Sequence, residues 1–373
     1  MLHRLSRAIA AIVALLPTLR SQEPFPETAT LKLFERRSEL LTAFWGRDMS
    51  VRASVVLPPD RREGERLPVC YSIHGFGGSH RSGIRRAAEL AEAMATGKQP
   101  RLCLVYLDAQ FPLGHHEFAD SVNNGPWGKA LTSEFVPALE QHFAVGGDAG
   151  ARFLTGHSSG GWSSLWLQVT YPEFFGGTWS TAPDSVDFRD FTGIDVYRFA
   201  NAYTDPDGKP IPLVRRNGEW AQTIQEFVEK ELARKDHGGQ FMSFNAVFSP
   251  RGEDGRPMPL FDVKTGAIDR FVAETWKRYD IGHQLRTNWP TLGPKLQGKL
   301  RVFVGTADTF RLEGACYLLR DDLKSLGSDA QIVFAEGRNH GDLLQPHPEL
   351  WPDGLLLRIH REMRACFDRS TTK

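Results

Sequence analysis

Six continuous apolar runs limit the fold most strongly. They are Leu67 to Ile73 (LPVCYSI), Leu102 to Leu107, Arg152 to Thr155, Gly177 to Thr181, Leu300 to Val304 and Gln331 to Ala335. Runs without polar alternation belong to strands covered on both faces, as in a parallel sheet. Between them lie stretches with helical spacing. Residues 127–143 carry Leu131, Phe135, Leu139 and Phe143 on one face, and residues 81–95, 159–169, 314–326 and 351–367 also read as helices. Strands alternating with helices predict an α/β domain: a mostly parallel central sheet flanked by helices, with right-handed crossovers. Val51 to Leu57 (VRASVVL) alternates and then meets Pro58-Pro59, so it reads as an edge strand ending in a turn. The 35 glycines and 23 prolines exclude a coiled coil or a simple bundle. At 373 residues with 41% hydrophobic content, the chain can bury a large core.

Residues 184–297 break this rhythm. They hold two strong turn signals, Asp205-Pro206-Asp207-Gly208 and Glu253-Asp254-Gly255, and charged helix candidates at 220–235 and 267–279. More than one hundred residues is too long for a connection between neighbouring strands. The stretch at about 185–297 is therefore expected to be an insertion lying over one sheet edge, a cap or lid. The acids at 205–207 lack the spacing and closing Glu of a calcium loop and read as a plain turn.

At the other end, Arg4 and Arg7 precede the apolar run Ala8 to Leu16 and Pro17. This is the pattern of a secretory signal peptide over residues 1–21, with the α/β domain in 22–373 and a secreted or periplasmic location. The run is too short for a membrane span. Lys+Arg and Asp+Glu are balanced at 45 each, which leaves no global field to hold nucleic acid. The four cysteines form no metal spacing and read as buried thiols; a Cys316–Cys366 bridge is compatible with export but nothing favours it.

The chemistry concentrates in Gly156-His157-Ser158-Ser159-Gly160-Gly161, between the run RFLT and the helical WSSLWLQV. A strand, a sharp G-x-S-x-G turn and a helix make a nucleophile elbow, which lifts Ser158 Oγ to the sheet's carboxyl edge. His157, next to it in sequence, is expected to point elsewhere. A serine hydroxyl needs a base. Of twelve histidines, His340 in Gly337-Arg338-Asn339-His340-Gly341 directly follows the last strand; His347 and His360 lie in a Pro-flanked loop and in the final helix. The base needs an acid, and Asp308 follows the next-to-last strand through Gly305-Thr306-Ala307, with Asp184 as its rival. The order Ser158, Asp308, His340 is that of α/β-hydrolases. His74-Gly75-Phe76-Gly77-Gly78 follows another strand and can bring backbone N–H groups to an oxyanion. The expected donors are the N–H of Ser159 and that of Phe76 or Gly77. His115-His116-Glu117 is a weak metal candidate and reads as a pocket rim or, more simply, a solvated loop. Trp162, Trp166 and Trp179 read as core, and Arg85-Arg86 as a solvated helix face.

Together HGFGG, GHSSGG, GTAD and GRNHG resemble the putative-esterase (esterase D-like) branch of the α/β-hydrolases, whose relatives include S-formylglutathione hydrolases, feruloyl and acetylxylan esterases and enterochelin esterases. The stretch Phe118 to Trp127 also resembles a family loop near the active site. The resemblance implies a serine carboxylic-ester hydrolase with Ser158, Asp308 and His340 as its triad, acting on a small-molecule or polysaccharide-linked ester. No metal or organic cofactor is expected. An acyltransferase or a serine peptidase on the same fold, or a non-catalytic carbohydrate- or surface-binding protein, are the alternatives. The long insertion departs from the compact members and leaves the natural substrate open.

Overall fold

A computed structural model describes residues 24–62, 64–234 and 238–371. The segment expected to be a signal peptide lies outside them. Eight strands form one sheet: β1 (Leu31–Arg37), β2 (Ser50–Val56), β3 (Val69–Ile73), β4 (Cys103–Leu107), β5 (Arg152–His157), β6 (Gly177–Thr181), β7 (Leu300–Gly305) and β8 (Gln331–Ala335). Their spatial order is β1-β2-β4-β3-β5-β6-β7-β8. The pairs β1–β2 and β2–β4 are antiparallel, and every later pair is parallel.

Strand periodicity divides the core. Tyr71, Val105 and Leu154 face the helix over residues 127–143, packing on Leu131, Phe135 and Leu139. Their neighbours Cys70, Leu104 and Phe153 face the other way, toward the helices Ala87–Ala95 and Leu355–Thr371. Both faces are thus covered, which is why these strands read as unbroken apolar runs. The helix over 127–143 contains one wide turn, Leu131–Phe135, in which Val136 N–H donates to Leu131 O. It accommodates Pro137, which has no N–H to donate.

One expectation about the edge needs correcting. VRASVVL is β2, paired on both sides; the edge is β1, whose sequence LKLFERR was not singled out. Its charges are what suit it to an unpaired margin. Pro58-Pro59 follow β2 rather than sit in it, so no ladder hydrogen bond is lost.

Between β6 and β7, Glu219–Thr223 pairs with Pro212–Arg216 as a hairpin, and the helix expected over 220–235 is confined to Ile224–Leu232, opened by a Thr223/Glu226 capping box. The helix expected over 267–279 is confined to Arg270–Trp276. Two further helices, Gly239–Phe248 and Ile281–Leu296, leave no helical signal in the sequence. The first is buried almost all round and shows no amphipathic period; the second contains Pro290 and Pro294, which read as breakers. Phe188, Phe191, Phe248 and Trp276 of this segment share one core with Trp162 and Trp166 of the helix Ser159–Thr170 and with Val302 and Val304 of β7. Trp162, Trp166 and Trp179 are buried, as expected of core. All four cysteines are free; Cys316 and Cys366 belong to different sides of the sheet. No helix among the described residues is long and apolar enough to cross a membrane.

Candidate active site

β5 ends at His157 and the helix starts at Ser159, leaving Ser158 alone at the corner with φ 60° and ψ −125°. A non-glycine residue rarely adopts such a backbone, and it persists only where its surroundings hold it. Ser158 N–H donates to Thr181 O (3.1 Å), while Ser158 O accepts from Trp162 N–H (3.0 Å) and Asp184 N–H (3.2 Å). The glycines are sterically required. A Cβ on Gly156 would lie 2.1 Å from Gly160 O, and one on Gly160 would lie 2.0 Å from Ile73 O. The His74–Gly78 loop lies directly against the corner: a Cβ on Gly75 would be 3.2 Å from Ser158 Cβ and 3.9 Å from its Oγ. Ser159 opens the helix, so its N–H has no acceptor within it.

His340, in the loop after β8, has Nδ1 2.8 Å from Oδ2 of Asp308, which is fully buried in the loop after β7. Asp308 Oδ1 accepts from Phe310 N–H (2.8 Å), and the Phe310 ring meets the imidazole edge-on at 5.0 Å. With Nδ1–H given to the carboxylate, Nε2 of His340 is left as the basic nitrogen. Burial works against a charge on this ring, but the hydrogen bond and charge of Asp308, aided by Asp184, outweigh it and raise its pKa above the ordinary 6.5.

Asp184 takes a different place. Its Oδ1 accepts from Ser158 Oγ (3.2 Å), and its Oδ2 accepts from Ser159 Oγ (2.6 Å) and from Gln240 Nε2 (2.9 Å). Among the described residues, Ser158 Oγ bonds to Asp184 and not to His340. Burial pushes Asp184 up to about 6. Phe191, Leu213, Phe227, Phe241 and Phe244 of the insertion join Ser158 and Asp184 around a pocket of about 30 Å³, room for about two waters.

His157 departs from expectation. Its ring packs on that of His340 with centroids 4.5 Å apart, and its Nδ1 lies 3.1 Å from Thr181 Oγ1. Burial, and then the charge of His340, lower it to about 4, so it packs there as a neutral ring. The His115-His116-Glu117 triplet is not a solvated loop: all three are at most 1% exposed. His116 stacks flat on Trp127, eleven residues along, at 3.8 Å. Among the described residues no group of His, Cys, Asp or Glu could hold a metal ion. Glu117 reads from the sequence only as part of a weak metal or rim triplet, and Gln240 carries no motif at all.

The profile of the family described as "Putative esterase" matches residues 43–230, half of the chain. No curated protein matches it. Among solved structures, a ferulic acid esterase superimposes with a TM-score of 0.56 at 13% identity, over 91% of this chain and 99% of its own. The acylaminoacyl peptidase of Pyrococcus horikoshii gives 0.50 at 13% identity, over 91% of this chain and 42% of its own. An S-formylglutathione hydrolase from Agrobacterium tumefaciens gives 0.48 at 15% identity, over 92% and 93%. At such identities the structural likeness speaks to the fold, and the family profile speaks to descent. The chain belongs to the putative-esterase family and is a carboxylic ester hydrolase built on the α/β-hydrolase fold.

Proposed function

We propose that hydrolysis runs through an acyl-enzyme on Ser158, with His340 as general base and acid and Asp308 as the carboxylate that orients it. The observation that carries this reading is the His340–Asp308 contact of 2.8 Å, set in the loops after β8 and β7, at the same carboxyl edge of the parallel sheet as the corner that holds Ser158 after β5. In the first step Ser158 Oγ leaves Asp184, turns to His340 Nε2 and attacks the ester carbonyl as its proton passes to the imidazole. The oxyanion is received by the N–H groups of Ser159 and Phe76, a pair supported by the contact of Gly75 with Ser158. His340 then protonates the leaving alcohol, and water repeats the sequence on the acyl-enzyme.

The segment 185–297 acts in this reading as a cap whose aromatic residues form the acyl pocket. A volume of about 30 Å³ favours short acyl groups. Export under the signal peptide at 1–21 completes the proposal, on the strength of the sequence pattern alone. Ser158→Ala should lower p-nitrophenyl acetate hydrolysis by several orders of magnitude, and acetate should be preferred over butyrate and octanoate. Hydrolysis by Ser158→Ala at the wild-type rate would overturn the nucleophile assignment.

A further inference from the structure

Glu117 is a buried acid near the site that the proposed mechanism does not use. It is 1% exposed, and both it and Phe118 hold left-handed backbones (φ 55° and 49°). Two adjacent non-glycine residues in that region are costly and need a surrounding that fixes them. Its Oε2 accepts from Ser163 Oγ (2.5 Å), on the helix that begins at the elbow. Its Oε1 has no acceptor role filled and lies 3.2 Å from His115 Nδ1.

That contact looks like an ion pair but cannot be one. His115 Nε2 is 3.0 Å from the carbonyl oxygen of His74, which only accepts, so Nε2 carries the ring hydrogen. Nδ1 is then a lone pair, already taking Glu117 N–H at 3.1 Å. Burial agrees, holding His115 neutral down to about 4. An ionised Oε1 would face that lone pair repulsively. The contact is tolerated only if the Glu117 carboxyl carries a proton. Hydrogen bonds run on through the backbone: Glu117 N–H to His115 Nδ1 (3.1 Å), His115 Nε2–H to His74 O (3.0 Å), and His74 Nδ1–H to Gly75 O (2.8 Å), with His74 Nε2 accepting from Ala109 N–H (2.9 Å). One end is the elbow helix and the other is the His74–Gly78 loop.

We propose that Glu117 is a positioning residue that works as a neutral acid: it ties the His74–Gly78 loop to the helix Ser159–Thr170, and its ionisation switches the site off at alkaline pH. The inference rests on the reading in which Ser159 and Phe76 receive the oxyanion. The groups facing Glu117 are His115 and His116 on its own segment, Ser159 and Ser163 on the helix, His74 on the loop and Asp184 after β6, which Gln240 of the insertion also contacts. Burial raises the Glu117 carboxyl to about 8. Above that pH an ionised Oε1 faces the His115 lone pair at 3.2 Å, and a second buried negative charge joins Asp184 where the oxyanion must form.

Glu117→Gln mimics the neutral acid, since its amide places no charge against the His115 lone pair while its oxygen accepts from Ser163. The test compares kcat and KM for p-nitrophenyl acetate from about pH 6 to about pH 10, corrected for spontaneous hydrolysis, in wild type, Glu117→Gln and Glu117→Ala. Wild type should lose kcat as pH rises through about 8, with KM little changed. Glu117→Gln should stay within about threefold of wild type near neutrality and lack that loss, while Glu117→Ala should fall about 10- to 100-fold in kcat. The inference is overturned if wild type shows no alkaline loss, if Glu117→Gln shows the same loss, or if Glu117→Ala keeps the wild-type kcat. The wild-type profile decides even if both variants fail to fold. Ser158→Ala separates the two levels: inactivity there, alongside an unchanged alkaline loss in Glu117→Gln, rejects only the role of Glu117.

Discussion

His340 must be neutral to take the serine proton, so its acid–base setting fixes the low-pH limb of activity. Asp308 raises it, and the residue therefore loses its proton only above pH 6.5. Activity should accordingly rise with pH through a midpoint above that value. Asp308→Asn removes the charge that raises the imidazole and leaves its burial, which lowers it. The midpoint of kcat/KM against pH should move down, and the plateau should fall by about two to four orders of magnitude because the tautomer is no longer held. An acid limb that stays in place in Asp308→Asn would point to Asp184 as the partner that matters. At this scale Ser158, Asp308 and His340 stand out in the sequence because each follows a strand and sits among glycines. Asp184 does not reveal its partner: only folding brings its carboxylate against Ser158 and Gln240.

The elements flanking the site are fixed by a buried charge. Glu140, near the end of the helix over 127–143, makes a two-pronged contact with Arg152 at the start of β5 (2.9 and 2.8 Å). It also accepts from Tyr71 Oη of β3 (3.1 Å) and from Gly147 N–H (3.1 Å). Its side chain is 5% exposed and that of Arg152 13%. Removing one partner of such a pair leaves the other charged and dry, at a cost of about 3–5 kcal/mol. Glu140→Ala should therefore lower the urea midpoint by a corresponding amount with little change in KM. Glu140→Gln should cost less, since its one oxygen still accepts from either Tyr71 or Gly147. A midpoint within error of wild type for Glu140→Ala would mean that water reaches Arg152. The helix itself was legible from its four-residue spacing, whereas the ion pair that seats it on the sheet was not.

Across the whole molecule, the segment 185–297 is bound into the hydrolase core. Trp276 is 1% exposed and packs on Phe188, Phe191 and Phe248, in the same apolar cluster as Trp162 and β7. Asp187, fully buried, ties Arg189 (2.7 Å) and Arg286 (2.5 Å), and both arginines reach Asp322 on the helix Leu312–Ser325. A segment held this way should unfold with the sheet. Denaturant unfolding followed by tryptophan fluorescence and by residual hydrolysis should give coincident single transitions. Trp276→Ala should shift both together by about 3–5 kcal/mol. Two separated transitions, with only the first moved by Trp276→Ala, would show the segment to be an independent lid.

The sequence by itself determined the strand–helix alternation, six of the eight sheet strands as apolar runs and the elbow around Ser158, because burial on both faces and a sharp glycine-flanked turn leave local, periodic traces. Tertiary structure alone decided that charged β1 forms the edge, that proline-bearing Ile281–Leu296 stays helical, and that His157 packs on His340. It also decided that Glu117 sits dry against a histidine lone pair. Those outcomes depend on which groups the fold brings within a few ångströms across long separations in the chain, and a linear pattern does not encode such distances.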